Sequence, residues 1–301
     1  MTLGTMTTRP PLAERVAVAP ISWGVCEVPG WGLQLTPDRV LAEMRDLGVT
    51  ATEFGPDGFL PDEPAEKARV LDQYGMRAVG GFVPVLLHDA AIDPAPVVQR
   101  AIEAFLAAGA TRMVLAADTG QVGYDSRPEL DDEQWDRLLA NLDRLDRIAA
   151  DSGIVAAIHP HVGTLVESAD DVSRVLAGCG IGLCLDTGHL LIGGSDPVEL
   201  AVRHADRITH VHLKDVRIDV ARRVQSGELG YTDAVGRDMY VALGAGDIDI
   251  RRIVTALENA GYDGYYVLEQ DIVLTDEPPP GSGPVDDVRA SLAFLTATTT
   301  G

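Results

Sequence analysis

The sequence predicts a single (β/α)8 barrel. Three observations predict it: short β-branched runs alternate eight times with longer helical patterns, glycines stop the helices, and polar residues of metal-ligand type end the last four strands. Such alternation with short connections implies an all-parallel sheet closed on itself with helices outside. At 301 residues, one barrel of about 250 residues with extensions is the economical domain count. The structural competitor is an open doubly wound sheet. It would carry a glycine-rich phosphate turn after its first strand, and the ISWGVC stretch from Ile21 to Cys26 does not fit that pattern.

Strands are expected at 16–21 (VAVAPI), 50–54 (TATEF), 77–83 (RAVGGFV), 112–116 (RMVLA), 154–159 (IVAAIH), 181–186 (IGLCLD), 207–213 (RITHVHL) and 264–269 (GYYVLE). Helices are expected near 36–47, 62–74, 94–108, 129–151, 168–177, 196–203, 249–260 and 284–295. In the 129–151 segment Leu138, Leu142, Leu145 and Ile148 recur at spacings of three and four, which places one apolar stripe on the sheet. Thr36 and Ser168 stand where N-caps belong. Gly48, Gly75, Gly109, Gly153 and Gly261 stand where helices must end before the next strand. Three stretches break the repeat. Residues 1–14 read as a flexible arm before a barrel spanning 15–301, 217–247 as a long insertion on the catalytic face and a candidate lid, and 276–284 (DEPPPGSGP) as a stiff polar linker.

Composition removes several function classes. Lys plus Arg number 24 against 46 Asp plus Glu, a formal charge of −22. That field opposes nucleic acid and anionic membrane. No apolar run approaches the ~20 residues needed to span a bilayer, and the N-terminus lacks a signal-peptide pattern, so a cytoplasmic address is expected. Cys26, Cys179 and Cys184 form no CxxC pair and leave an odd count, against a disulfide framework.

The strand ends carry the chemistry. They offer His159 and His161 (AAIHPH), Asp186 and His189 (CLDTGH), His212 and Lys214 (HVHLKD), and Glu269 (YYVLEQ). Strand alternation puts Cys184 with Asp186, His210 with His212, and Val267 with Glu269 on one parity, and Ala157, His159 and His161 too if their strand continues through Pro160. All therefore aim at the carboxyl-end mouth, where barrels of this kind place their sites. A lone histidine is more often a satisfied core residue. Asp186, His212 and Glu269 on three neighbouring strands instead read as ligands of a divalent ion, because such a buried cluster is costly without one. Mixed nitrogen and oxygen ligation suits Mn2+, Co2+, Zn2+ or Mg2+. Lys214, one step above His212, is expected to have a depressed pKa beside a cation, suiting proton transfer; otherwise it is a surface lysine at a strand end. Gly188 permits a sharp turn bringing His189 over the mouth. Across the mouth, Trp23 either stacks on a ring-shaped polyol or roofs the barrel. Glu27 and His88 are further contacts for substrate, and Glu53 either bonds hydroxyls or acts as a base. His210, one layer below His212, reads as its supporting partner.

These motifs resemble the xylose-isomerase-like, sugar phosphate isomerase/epimerase superfamily of metal-dependent barrels. The PISWG, TEFGPDGF, HPHVGTLVE and HVHLKD segments are most similar to its inosose dehydratase branch, over roughly residues 16–270. The resemblance implies Asp186, His212 and Glu269 as ligands, with His189 and Lys214 beside the substrate. It departs at strand five, where many isomerases and epimerases carry a glutamate and this chain has His159; the fourth ligand is His159 or water. Loss of that carboxylate favours one-sided chemistry such as elimination. The leading expectation is a dehydratase of a keto-cyclitol such as 2-keto-myo-inositol, with Mn2+ or Co2+ preferred. Its base would be Glu53, Glu269 or His189, and its acid Lys214 or His161. The alternatives are an isomerase or epimerase of a ketose or keto-inositol, and a non-catalytic degenerate barrel. The expected partner is a small polyol or keto-sugar, and the superfamily resemblance makes a homo-oligomer an open alternative to a monomer.

Overall fold

In the computed structural model, which describes residues 9–299, the eight expected strands form one parallel ring. They are β1 (Val16–Val18), β2 (Ala51–Thr52), β3 (Arg77–Ala78 and Gly80–Val85, either side of Val79), β4 (Arg112–Ala117), β5 (Val155–Ile158), β6 (Gly182–Asp186), β7 (Ile208–Leu213) and β8 (Tyr266–Leu268). The sheet runs from the first half of β3 through β2, β1, β8, β7, β6, β5 and β4 to the second half of β3. The ring therefore closes through one strand. Val79 makes the joint: its amide donates to the Thr52 carbonyl at 2.9 Å, and its own carbonyl accepts from Thr111 and Arg112 on the far side.

Helices at Pro37–Asp46, Pro64–Gln73, Ala95–Ala107, Asp132–Asp151, Ala169–Gly178, Pro197–Arg203, Ile250–Ala260 and Pro284–Thr299 cover the outside. Of the stripe read from the sequence, Leu138, Leu142 and Leu145 are fully buried against the sheet and Ile148 is half-buried at its edge. Ser168 caps its helix in a reciprocal box with Asp171, satisfying otherwise orphaned amides. Inside the ring the packing is small, with Ala17, Ala51, Val79 and Val267 in one cluster and Val114, Ala157 and Cys184 in another. These residues plug the barrel below the polar mouth.

Several expectations needed correction. The first strand stops at Val18 because Pro20–Trp23 turns into a 3-10 helix, ended by Gly24 in the left-handed region at φ 78°. An unexpected helix, Thr187–Ile192, follows β6 directly, with Asp186 as its N-cap. Of the expected loose arm, residues 1–8 lie outside the described residues. The rest is tied down: Leu12 joins the core, and Arg9 donates to the carbonyls of Glu258 and Tyr262. The 217–247 insertion forms helices Ile218–Gln225 and Tyr231–Val235, and its strand Tyr240–Val241 pairs antiparallel with Asp215–Val216. A second apolar cluster, including Trp31, Val216, Tyr231, Ala234 and Tyr240, seats this insertion on the mouth.

Candidate active site at the barrel mouth

β6 ends in Asp186, whose two oxygens have separate tasks. Oδ1 accepts the amides of Gly188 and His189 at 3.0 and 2.9 Å, the N-cap of the short helix. Oδ2 is thereby aimed across the mouth, where it meets His159 Nε2 at 3.3 Å, His212 Nδ1 at 3.5 Å and Lys214 Nζ at 3.2 Å. From β8, Glu269 Oε2 reaches His212 Nδ1 and Lys214 Nζ, each at 3.1 Å. Register explains the convergence, because Asp186 pairs with His212 and His212 with Val267, two residues before Glu269.

The donor set fits a divalent cation. One ligand atom each from Asp186, His212 and Glu269 lies within 4.8 Å of the others, and His159 forms an equally compact group with Asp186 and His189. His212 Nδ1 and His159 Nδ1 are buried without a hydrogen-bond partner. Two carboxylates and two imidazoles removed from water are stable only if paired or coordinating.

Lys214 was expected to have a depressed pKa beside a cation; the chain's own groups nearest its Nζ are carboxylates. Its Nζ sits 3.0 Å from Asp271 Oδ1 as well as beside Asp186 and Glu269. Burial opposes its charge, but Asp186, Asp271 and Glu269 outweigh burial and hold the ammonium well above its usual range. Asp271, missed in the sequence, shares strand parity with Glu269, and that spacing could have revealed it. Its carboxylate also accepts the Tyr231 hydroxyl at 2.8 Å, and Tyr231 meets the Tyr240 hydroxyl at 3.2 Å. Both tyrosines come from the insertion, which has no periodicity to announce them. Burial, then the neighbouring carboxylates Glu269 and Asp186, raises the Asp271 pKa against the pull of Lys214.

His161 and His189 stack with ring centroids 3.6 Å apart. His161 Nδ1 donates to the Val162 carbonyl at 2.7 Å. Its Nε2 makes no hydrogen bond among the described residues, so the lone pair belongs to the nitrogen at the cavity. His189 has the opposite tautomer, its Nδ1 accepting the Val162 amide at 3.3 Å. Burial, reinforced by neighbouring positive groups, lowers both pKa values well below the ordinary histidine range, leaving neutral imidazoles. Gly188 acts differently from the expected sharp turn: it lies in the short helix, and a Cβ there would stand 2.7 Å from Tyr240 and 2.9 Å from Lys214. Its role is room for close packing.

A cavity of about 380 Å3 opens above this cluster, lined among others by Glu27, Trp31, Glu53, Tyr124, His161 and Lys214. Glu27 is on the rim, its carboxylate accepting the Tyr124 hydroxyl. Glu53 Oε1 is already engaged, accepting from His210 Nε2 at 2.7 Å and His212 Nε2 at 3.2 Å. Burial opposes its ionisation, yet His212 and His210 more than offset this and keep its carboxyl well below the usual range. Two expected substrate contacts are not in the cavity. Trp23 is fully buried beneath the mouth, its indole donating to Glu43 at 2.8 Å; Trp31, eight residues on in the same connection, lines the cavity instead. His88 is half-buried and not among the residues lining the cavity, and its backbone carbonyl accepts from Arg137.

Comparison with known proteins agrees with this geometry. The family model for the xylose isomerase-like TIM barrel matches residues 41–298. An inosose dehydratase of Geobacillus kaustophilus is 37% identical over 270 residues, covering 85% of this chain and 87% of that protein. A rhizopine catabolism protein, MocC, of Rhizobium meliloti is 35% identical, covering 86% of this chain and 82% of that one. Among solved structures, the IolI protein with a bound zinc atom superposes with a TM-score of 0.67 at 13% identity, covering 95% and 98% of the two chains. At that identity the likeness speaks to fold alone. This chain is a member of the xylose isomerase-like TIM barrel family.

Proposed function

We propose that the protein is a metal-dependent dehydratase of a keto-cyclitol, 2-keto-myo-inositol being the substrate that best suits the site. The observation carrying this reading is the placement of a neutral imidazole, His161, and a charged ammonium, Lys214, around one cavity beside the His159, Asp186, His212 and Glu269 cluster. Relatives named inosose dehydratase, at up to 37% identity over most of the chain, support it. A divalent cation held by those four residues, Mn2+ or Co2+ before Zn2+ or Mg2+, would supply Lewis acidity that draws electron density from the ketone and eases loss of the neighbouring proton.

The chain's own groups divide the proton work. His161, expected as an acid, is neutral and so serves instead as the base: its Nε2 takes the proton from the carbon next to the ketone. Lys214 Nζ gives one to the β-hydroxyl as it leaves, since a cation holding Asp186 and Glu269 would take away two of the carboxylates that keep its pKa high. One C–H and one C–O bond break, a C=C bond forms, and water departs. His189 stacks on His161 and holds its ring, while Asp271 and Tyr231 fix Lys214 from the far side. Glu27 with Tyr124, and Trp31, bind the polyol ring at the rim. The insertion 217–247 serves as the wall and lid that keeps bulk water from the ammonium. The strand-five histidine removes the carboxylate a two-sided epimerase would use, which supports elimination over epimerisation. The substrate is a small cytoplasmic polyol ketone.

The test is mass spectrometry of products after Mn2+- or Co2+-loaded protein meets 2-keto-myo-inositol. A product lighter by one water is expected. A product of unchanged mass at a new chromatographic position would replace this reading with isomerisation or epimerisation, and absence of turnover would refute the substrate assignment.

A further inference from the structure

Glu53 was expected to be a base or a hydroxyl contact, but its bonds give it another task. We propose that Glu53, supported by His210, is a positioning residue that fixes the tautomer and ring orientation of His212, so that Nδ1 is the nitrogen offered to the metal. This rests on the metal reading above.

The two nitrogens of His212 face opposite surroundings. Nδ1 points at Glu269 Oε2 and Asp186 Oδ2, 3.1 and 3.5 Å away, without a hydrogen bond to either. Nε2 points at Glu53 Oε1 at 3.2 Å. A carboxylate oxygen only accepts, so this contact puts a proton on Nε2, and Nδ1, which makes no hydrogen bond, is the nitrogen that a cation between Asp186 and Glu269 would meet. Glu53 is itself held in place: the same Oε1 accepts His210 Nε2 at 2.7 Å. All three side chains are at least nine-tenths buried, so water offers little competition for these bonds. The arrangement spans the barrel, from Glu53 just beyond β2 to His210 and His212 on β7. A carboxylate behind a metal-bound imidazole raises its basicity and restricts its rotation, and loss of such a partner typically costs about 10–100-fold in metal affinity.

The test compares wild type, Glu53→Leu, Glu53→Gln and His210→Phe by calorimetric titration with Zn2+ and Co2+, alongside thermal melts to confirm folding. A parallel measurement follows histidine ring signals by 15N NMR in the Zn2+-loaded protein. Glu53→Leu is expected to bind metal about 10–100-fold more weakly and to lose the Nε2–H signal of His212. Glu53→Gln, whose amide oxygen still accepts, is expected to recover much of the affinity. His210→Phe keeps the His212 bond and is expected to fall between. If the leucine variant does not fold, the glutamine and phenylalanine variants decide the matter through the NMR tautomer. Unchanged affinity in folded Glu53→Leu, or a metal-loaded His212 lacking a proton on Nε2, overturns the proposal alone. Uptake of two ions per chain also overturns it, because Nε2 and Glu53 would then be ligands themselves. A wild type that takes up no divalent ion overturns the metal reading and this proposal with it.

Discussion

Replacing Lys214 with Met removes one positive charge from a buried cluster and leaves three carboxylates facing the vacated space. Asp186, Glu269 and Asp271 lie 3.2, 3.1 and 3.0 Å from Nζ, and Lys214 is 2% exposed. Removing one partner of a buried ion pair costs about 3–5 kcal/mol, since the remaining charge stays desolvated. At this chain length a kcal/mol moves the melting temperature by roughly 2 °C, so the metal-free variant should melt roughly 6–10 °C below the metal-free wild type. A divalent cation would neutralise the same Asp186 and Glu269 oxygens. Metal loading should therefore raise the variant's melting temperature more than the wild type's and narrow the gap. Metal affinity should hold or improve, because the ammonium no longer competes for those oxygens. Turnover should fall by about 10²–10⁴, the usual worth of a positioned general acid. The assay is a thermal melt of both proteins with chelator and with saturating Mn2+, followed by kcat on the loaded forms. An equal loss of melting temperature in both conditions would show that Lys214 and the metal do not share carboxylates. Undiminished turnover would remove Lys214 from the mechanism.

Other outcomes follow from the same geometry. His161 and His189 have folded pKa values below their unfolded value of about 6.5. The unfolded chain takes up their protons first, so their contribution to stability is complete above that pH and is lost as pH falls below it. Each costs about 1.4 kcal/mol per pH unit, so this pair alone takes roughly 3 kcal/mol from the metal-free protein between pH 7.5 and 5.5, with His159 and His210 adding to the loss and His212, whose pKa is raised, offsetting part of it; a urea-unfolding stability that rises from pH 7.5 to 5.5 contradicts neutral buried imidazoles. Gly188→Ala places a methyl within 2.7 Å of Tyr240 and 2.9 Å of Lys214. It should cost about 1–3 kcal/mol in urea unfolding and displace the ammonium, lowering kcat; wild-type behaviour would refute the packing role. Both Trp31→Ala and Trp23→Ala should cost stability, about 3–5 kcal/mol for a buried tryptophan, but only Trp31→Ala should raise KM. A raised KM in Trp23→Ala with an unchanged KM in Trp31→Ala would restore Trp23 as the substrate contact.

The barrel was legible because its signals are local. The spacing of Leu138, Leu142 and Leu145 and the β-branched runs depend only on near neighbours, and a parallel ring follows from their alternation. The convergence of Asp186, His212 and Glu269 was legible for a related reason: they stand at strand ends, and strand parity fixes which way a side chain points. Parity also covers Asp271, two residues past Glu269, but it stands three residues beyond the last strand residue, Leu268, where alternation no longer governs direction. The carboxylates around Lys214 were not legible, because Asp186, Glu269 and Asp271 come from β6 and the β8 end and gather at its Nζ only in the fold. Tyr231 and Tyr240 reach the site from an irregular insertion, where no period exists to read. Trp23 and Trp31 lie in one connection, and only the 3-10 turn at Pro20–Trp23 decides which faces inward to Glu43 and which faces the cavity.

The most direct test of the central claim is anomalous diffraction from crystals of the Co2+- or Mn2+-loaded protein. One strong peak touching Asp186 Oδ2, His212 Nδ1 and Glu269 Oε2, with His159 beside it, is the predicted result. No peak at saturating metal, or a peak away from the barrel mouth, would contradict it.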